Sequence, residues 1–402
     1  MARLAHDPFK RFVVKPIAAI LLVGLFFFAF QALFVKVYLD VPSRPFSGSN
    51  IYNPYSNLSG GEWLKMNLHA HTSSWGGITN GVNTAEEVIG AYHSLDYDVI
   101  GISNYQSIQR VSEVPEGVIY MPTYEHGYGI NKYHQLMIDP NRVSWFEQLY
   151  YFNTAQMQQT FISLRNDAEL ICFNHPQFTR WLNPDVMKSL KGYDLIEAAS
   201  GMASSSTNYW DVALSAGIPS FVLANDDSHS VTPIENIGHF YTMVYAKKHS
   251  KEGVIEALRK GAHYAVHAPN HREHNPENLP RLSLLTLVND TISVQFSQTP
   301  TKIVFIGQEA AVRGEVMSNS FAQLPVTSED TYIRVEAEFA DGTRILTNPL
   351  FRYDLFENTN EPLRTFHKLP VIVDELGTMY YRIICVLVLI LLYFASRRLW
   401  KW

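Results

Sequence analysis

Met66-Asn67-Leu68-His69-Ala70-His71-Thr72 is a short apolar run that ends in His-x-His. In an extended strand, residues i and i+2 point to the same face. Two imidazoles on one face at a strand's end can hold a single metal ion. Taken alone, such a pair is more often two surface or capping histidines, so its partners decide the matter. Those partners recur along the chain. Val118–Tyr124 ends in Glu125-His126, and His134 opens Gln135–Ile138. Leu170–Phe173 runs into Asn174-His175-Pro176, and Leu195–Ile196 into Glu197. Phe221–Ala224 runs into Asn225-Asp226-Asp227-Ser228-His229. Each residue has a bland reading: His175 as a turn residue before proline, Glu125 as a helix-start carboxylate, Asp227 and His229 as loop caps. Random placement would not favour strand ends, however, and in parallel α/β folds the carboxyl ends of the strands form the active face. The set is therefore expected to converge on one site. Mixed imidazole and carboxylate ligands suit zinc, manganese or iron. Cys172 and Cys385 are the only cysteines, which leaves no disulfide framework and no Cys-based zinc site.

The elements around these residues alternate. Strands are expected at Met66–Leu68, Val99–Ser103, Val118–Tyr124, Gln135–Ile138, Leu170–Phe173, Leu195–Glu197 and Phe221–Ala224. Helices are expected between them at Ala85–Ser94, Thr154–Asp167, Pro184–Leu190 and Tyr209–Ala216, with a further one at Glu252–Lys260. This alternation predicts an α/β unit over residues 62–268 with mainly parallel strands. After Ala268 short strands follow without helices: Leu282–Leu287, Ile292–Phe296, Ile303–Ile306, Tyr332–Phe339 and Arg344–Leu346. These predict a small β-sandwich over 281–353. His263, His267, His271 and His274 straddle the connector at loose spacing and read as surface histidines.

Of the 402 residues, 47% are hydrophobic and only 17% charged, which points to membrane segments. The net charge of −6, without a basic run among aromatics, gives no support for nucleic-acid binding. Pro16–Val35 is apolar apart from Gln31 and long enough to span a bilayer. A cleaved signal peptide is the alternative, but no convincing cleavage site follows. Ile383–Ala395 is a second apolar run, extended by Met379, Tyr380 and Tyr381, with Arg382 able to snorkel and Trp400 and Trp402 suited to an interface. Arg3, Lys10, Arg11 and Lys15 precede the first span, and Arg397, Arg398 and Lys401 follow the second. The positive-inside rule then puts both termini in the cytoplasm and the main domains on the extracytoplasmic side. The expected order is a cytoplasmic tail (1–15), a transmembrane helix (16–37), a linker (38–61), the α/β domain (62–268), the sandwich (281–353), a linker (354–378), a second transmembrane helix (379–396) and a tail (397–402). Asn57-Leu58-Ser59 and Asn289-Asp290-Thr291 match the glycosylation pattern, a match that is common by chance.

With His-x-His-Thr, a later Glu, single histidines and a closing Asp-x-His in this order, residues Leu64 to Val266 resemble the PHP (polymerase and histidinol phosphatase) superfamily. A following sandwich that ends in a phrase like Thr347-Asn348-Pro349 also resembles some of its members. The resemblance implies a distorted seven-stranded β/α barrel and metal-dependent phosphoester hydrolysis. It implies that His69, His71, Glu125 and Asp227 bind one ion. Glu125 would bridge to a second ion held with His134 and His175. His229 would belong to the third ion of trinuclear members. Here the chain departs from the pattern: Asn104-Tyr105 stands where the family has Asp-His, and Trp75-Gly76-Gly77 where it has an acid or histidine. Two divalent ions are therefore expected.

Such a pair, about 3.5–4 Å apart, can share a hydroxide and clamp both oxygens of a displacement. His229 is then free to protonate the leaving group or bind a phosphate oxygen, and Arg180 is a candidate phosphate clamp. Tyr105 is expected to line the pocket, Asn104 to act as a hydrogen-bonding remnant, and Glu197 to orient a histidine. The expected function is a membrane-anchored, outward-facing phosphoesterase, whose location suggests lipid-linked or envelope phosphates as substrates. The lost ligand positions also suit a non-catalytic binding or sensory module. An amidohydrolase-type enzyme shares His-x-His on a β/α barrel, but commonly bridges its ions with a modified lysine where this chain has Glu125.

Overall fold

A computed structural model describes residues 10–39, 44–56, 58–202, 205–270, 279–354 and 371–401. Asn57, His271, His274, the first nine residues, Trp402 and most of the second linker lie outside them. The strands are β1 (Asn50–Tyr52), β2 (Glu62–Asn67), β3 (Val99–Ile102), β4 (Ile119–His126), β5 (Gln135–Pro140), β6 (Ala168–Phe173), β7 (Leu195–Ser200), β8 (Phe221–Asn225), β9 (Phe240–Ala246), β10 (His263–His267), β11 (Leu282–Val288), β12 (Thr291–Phe296), β13 (Lys302–Ile306), β14 (Val312–Met317), β15 (Phe321–Pro325), β16 (Tyr332–Glu338), β17 (Arg344–Thr347) and β18 (Leu350–Tyr353). The helices are α1 (Lys15–Ala32), α2 (Ala85–His93), α3 (Thr154–Leu164), α4 (Thr207–Ser215), α5 (Lys251–Lys260) and α6 (Glu375–Lys401).

Local chemistry sets the helix ends. Thr84 and Glu87 form a capping box at α2, the Thr84 hydroxyl accepting from Glu87 N and the Glu87 carboxylate from Thr84 N. Asn153 caps α3 and Ser250 caps α5. Gly261 ends α5 at φ 69°, where a Cβ would also meet the Phe221 ring at 2.6 Å. The expected helix at Pro184–Leu190 is instead a short 3₁₀ segment, Pro184–Lys188, opened by proline.

The central sheet is mixed and mostly parallel. β2–β3–β4 pair in parallel, as do β6–β7–β8. Between them β5 runs antiparallel to both neighbours. The sheet curls so that the end of β8 returns to β2. Leu68 N donates to Asn225 Oδ1 at 2.8 Å and Asp226 N to Asn67 Oδ1 at 2.9 Å. A parallel bridge joins Ala70 to Ser228. Strand interiors are buried on both faces, with Met66, Ile100, Met121, Ile171, Ile196 and Val222 at 0–1% exposure.

Beyond β2 the sheet continues antiparallel through β9 and β10 into β17, β16 and β18, with β13 and β14 pairing alongside. β11, β12 and β15 form a separate three-stranded sheet. Ile292, Val294 and Phe296 share a core with Ile303, Phe305, Val335 and Ala337. This part thus has one sheet of its own and one continuous with the α/β unit through β10 and β17. Asn289-Asp290 makes the two-residue hairpin turn between β11 and β12, with φ of 45° and 56°. Asn348 ties the parts together: its Oδ1 accepts from Val222 N at 2.7 Å, and its Nδ2 donates to Gly261 O and His263 O. A buried Arg334 forks onto Asp211 of α4 at 2.7 Å through both Nε and Nη2.

His263 overturns the surface reading of its cluster. It is fully buried on β10, against the Phe221 ring, and burial pushes its pKa down to about 3. His267 is half-buried and stacks on Phe240 at 4.3 Å.

Phe12–Ala32 and Glu375–Arg398 are long and apolar enough to cross a membrane. α1 stops at Ala32, short of the expected 37, and α6 begins at Glu375, ahead of 379. Their ends meet at the globular part. Val37 N donates to Thr378 Oγ1, Asp374 N to Val37 O and Leu39 N to Ile372 O. The two helices therefore leave the globular part together.

Candidate metal centre

Six side chains from five strand ends gather in one buried place. His69 and His71 follow β2, Glu125 closes β4, His175 follows β6 and Asp227 follows β8. His134 precedes β5, and because β5 is reversed its beginning lies at the edge where its neighbours end. All six are at most 6% exposed.

Glu125 is central. Its Oε1 lies 3.0 Å from His134 Nδ1, 3.2 Å from His175 Nε2 and 3.3 Å from His69 Nε2. Its Oε2 lies 3.4 Å from His71 Nε2. Asp227 Oδ1 lies 3.1 Å from His69 Nε2 and 3.2 Å from His71 Nε2, and its Oδ2 lies 3.6 Å from His175 Nε2. Two groups of ligand atoms are close enough to share an ion, His69–His71–Asp227 and His69–Glu125–His175. His134 joins the set through Glu125.

These atoms fit a metal better than they fit one another. His69 Nε2, both nitrogens of His71, Glu125 Oε2, His134 Nδ1 and Asp227 Oδ1 are buried without a hydrogen-bond partner. Buried polar atoms are rarely left so. Ligands at about 2.1 Å from a tetrahedral ion stand about 3.4 Å apart, close to the spacings here. Two members also hold left-handed backbone, His175 at φ 26° and Asp227 at φ 50°. Non-glycine residues in that region carry strain, which collects at functional sites.

The electrostatics are those of a compact carboxylate–imidazole cluster. Burial works against charge on His69, but Asp227, Glu197 and Glu125 hold its pKa well above the ordinary value. Burial likewise opposes ionisation of Glu125, yet His134 and His69 hold its carboxyl well below the usual range. Asp227 is lowered in the same way by His69 and His71. For His134 burial outweighs Glu125, and its pKa falls.

Supporting groups surround the six. Glu197 Oε1 lies 3.0 Å from His69 Nδ1, and its Oε2 accepts from the His175 backbone N–H at 3.1 Å. Asn104 holds Thr72 twice, accepting from its N at 2.8 Å and donating to its hydroxyl at 2.7 Å. Tyr105 stacks on one face of His71 at 4.6 Å, and the His229 ring stacks on His71 at 4.4 Å. His229 Nδ1 is 3.0 Å from Asp227 O, while its Nε2 is buried without a partner. Burial and the neighbouring His71 lower the His229 pKa. Arg180 does not join the cluster; it is exposed, and its backbone N–H donates to Asn131 O. Sequence reading missed Asn174, whose Nδ2 donates to Glu125 Oε1 at 3.0 Å, although its place beside His175 was a signal. It also missed a buried polar group nearby, in which His126 bonds Gln135 and Phe146 O while Glu147 bonds Tyr151.

No family model and no curated protein matches the chain. Among solved structures it is similar to a two-domain protein containing a predicted PHP-like metal-dependent phosphoesterase from Bacteroides vulgatus. That likeness has 13% identity and a TM-score of 0.39, and covers 77% of this chain and 92% of that one.

Proposed function

We propose that this chain is a membrane-anchored metal-dependent phosphoesterase that faces outward and works with two divalent ions. One observation carries the reading: a buried cluster of four histidines, Glu125 and Asp227 whose ligand atoms converge, most of them without a hydrogen-bond partner. The two spans, with both termini on the cytoplasmic side, are supported by the joined outer ends of α1 and α6. We read β2–β8 as the seven-stranded barrel and 281–353 as the sandwich beside it.

Ions bound there would make water nucleophilic at neutral pH and neutralise a phosphoester's charge. Glu125 presents one oxygen to His134, His175 and His69 and the other to His71, which suits a bridging carboxylate. His69, His71 and Asp227 complete one side, and His134 and His175 the other. In the reaction the oxygen of water bonds to phosphorus, the bond from phosphorus to the alcohol oxygen breaks, and that oxygen takes up a proton. His229 is placed to hold the proton: its unpaired Nε2 lies beside His71 at the rim of the cluster. Tyr105 covers His71 in the place of the family's lost ligand, which favours two ions over three. Arg180, exposed on the loop after His175, is the candidate phosphate clamp from outside the cluster.

The test is Glu125→Ala in the full chain. Loss of bound metal by elemental analysis, together with loss of phosphomonoester and phosphodiester hydrolysis, is the expected result. Full retention of both would sink the reading.

A further inference from the structure

The loops around the cluster are unusually apolar outside. Every exposed aromatic side chain between Glu62 and Ala268 lies on a loop at the site edge: Trp75, Tyr128, Trp145, Phe152, Phe178 and Trp181. The most open are Trp181 at 73%, Phe152 at 64% and Trp145 at 61%. Exposed apolar surface gathered on one side of a molecule marks an interaction surface.

Ring contacts connect this surface both to the cluster and to α1. On one side, Phe178 meets His175 edge-on at 5.5 Å, and three residues further on Trp181 lies 5.8 Å from Tyr150. Tyr150 packs on Phe152 at 4.5 Å, and Phe152 meets Phe28 edge-on at 6.0 Å. Phe28 belongs to the apolar run of α1, four residues and so about 6 Å inside its end. Gln31 of the same helix bonds this loop, its Nε2 donating to Glu147 O at 3.3 Å. On the other side, Tyr105 stacks on His71 and its carbonyl accepts from Trp75 Nε1 at 2.7 Å. Trp75 in turn meets Trp145 at 6.0 Å. The loop bearing Trp145 and Phe152 is thus fixed to the outer end of α1. Once α1 spans a bilayer, Phe152 sits at the depth of the headgroups and the last acyl carbons, where tryptophan and tyrosine are favoured.

We infer that the cluster opens onto the bilayer surface and that its substrate is a phosphoester carried on a membrane lipid. This rests on the phosphoesterase reading above and names the substrate class of that same site. The site would take its substrate from the leaflet in which α1 and α6 are anchored. The aromatic edge would rest among the lipids and hold the mouth against the headgroup layer.

The experiment uses the full chain, loaded with zinc or manganese and reconstituted in phosphatidylcholine vesicles. Two substrates are compared: phosphatidate in the same vesicles and a soluble aryl phosphate. The variant combines Trp145→Ser, Phe152→Ser and Trp181→Ser, all exposed positions outside the cluster. The expected result is at least about a tenfold loss on phosphatidate, since three apolar anchors leave the interface, with the soluble reaction unchanged. Equal rates of variant and parent on phosphatidate would overturn the inference, as would hydrolysis of the soluble substrate alone. Independently of catalysis, lipids brominated near the headgroup should quench the parent's tryptophan fluorescence, and Trp145→Phe and Trp181→Phe should each reduce that quenching. No reduction would overturn the placement and leave a protein partner as the edge's occupant. If neither substrate is hydrolysed while quenching is lost as expected, the phosphoesterase reading fails, and the substrate class with it, while the placement stands.

Discussion

Glu197 stands 3.0 Å from Nδ1 of His69 and so decides which nitrogen of that ring faces the cluster. Its other oxygen holds the backbone of His175, and Asn225 Nδ2 donates to the first at 3.0 Å. One buried acid therefore sets the positions of two neighbouring rings, His69 and His175, which stack at 5.7 Å. Replacing it with glutamine keeps the shape and removes the charge. Glu197→Gln is expected to fold and to bind metal about 10–100-fold more weakly. Calorimetric titration of the metal-free protein with zinc measures this, and unchanged affinity would mean the rings are set by packing alone.

His229 offers a different split. Its ring lies against His71, but neither group of converging ligand atoms includes it. His229→Gln is expected to lower kcat about 10²–10⁴-fold while metal content stays at the parent level. Loss of metal along with activity would make His229 a ligand instead.

Glu147 supplies a pH dependence of stability. Burial raises its pKa from 4.5 to about 8. The folded chain therefore keeps a proton that the unfolded chain has lost, across the window from 4.5 to about 8. Stability contributed by this group is present below that window and falls as pH rises through it. Glu147→Gln keeps an acceptor for Tyr151 without that charge. Its thermal stability should match the parent near pH 4.5 and exceed it increasingly towards pH 8, by on the order of 3–5 kcal/mol. A constant gap between the two melting curves across this range would refute the assignment.

Asp211 and Arg334 join α4 to β16 through a buried ion pair. Asp211→Ala leaves the guanidinium buried without its main partner and should cost about 3–5 kcal/mol in chemical denaturation. A double replacement, Asp211→Leu with Arg334→Met, should recover much of that loss. If the single variant costs nothing, Glu336 is carrying the guanidinium alone.

What gathers at the site was legible because strand ends are easy to read. His69, His71, Glu125, His175 and Asp227 each follow or close an apolar run, and they meet. His134 opens its strand instead of ending it, so only the resemblance assigns it to the site; the reversal of β5 supplies the geometric reason. Arg180 looked like a neighbour of His175 in sequence, but the turn after Pro176 carries it to the outside. In the second half the pattern fails where strands are mostly exposed. β14 is largely exposed along Val312–Met317, and β15 ends in proline, so neither carries the alternation that announces a strand. Loose spacing with other histidines makes His263 read as a surface residue, but its apolar setting in His-Tyr-Ala-Val-His points inward. The Glu147 group was invisible because it lies in an aperiodic loop held by tertiary contacts.

The reversal of β5 has a consequence for assembly. Glu125 and His134 flank a hairpin loop, where His126 and Gln135, nine residues apart, already bond. Across the site, Asn67 meets Asp226, which lies 159 residues further along the chain. Closing the short loop costs less chain entropy than closing the long one. The pocket therefore has a local half that the growing chain can shape by itself. The other half exists only once β8 has emerged and come home beside β2.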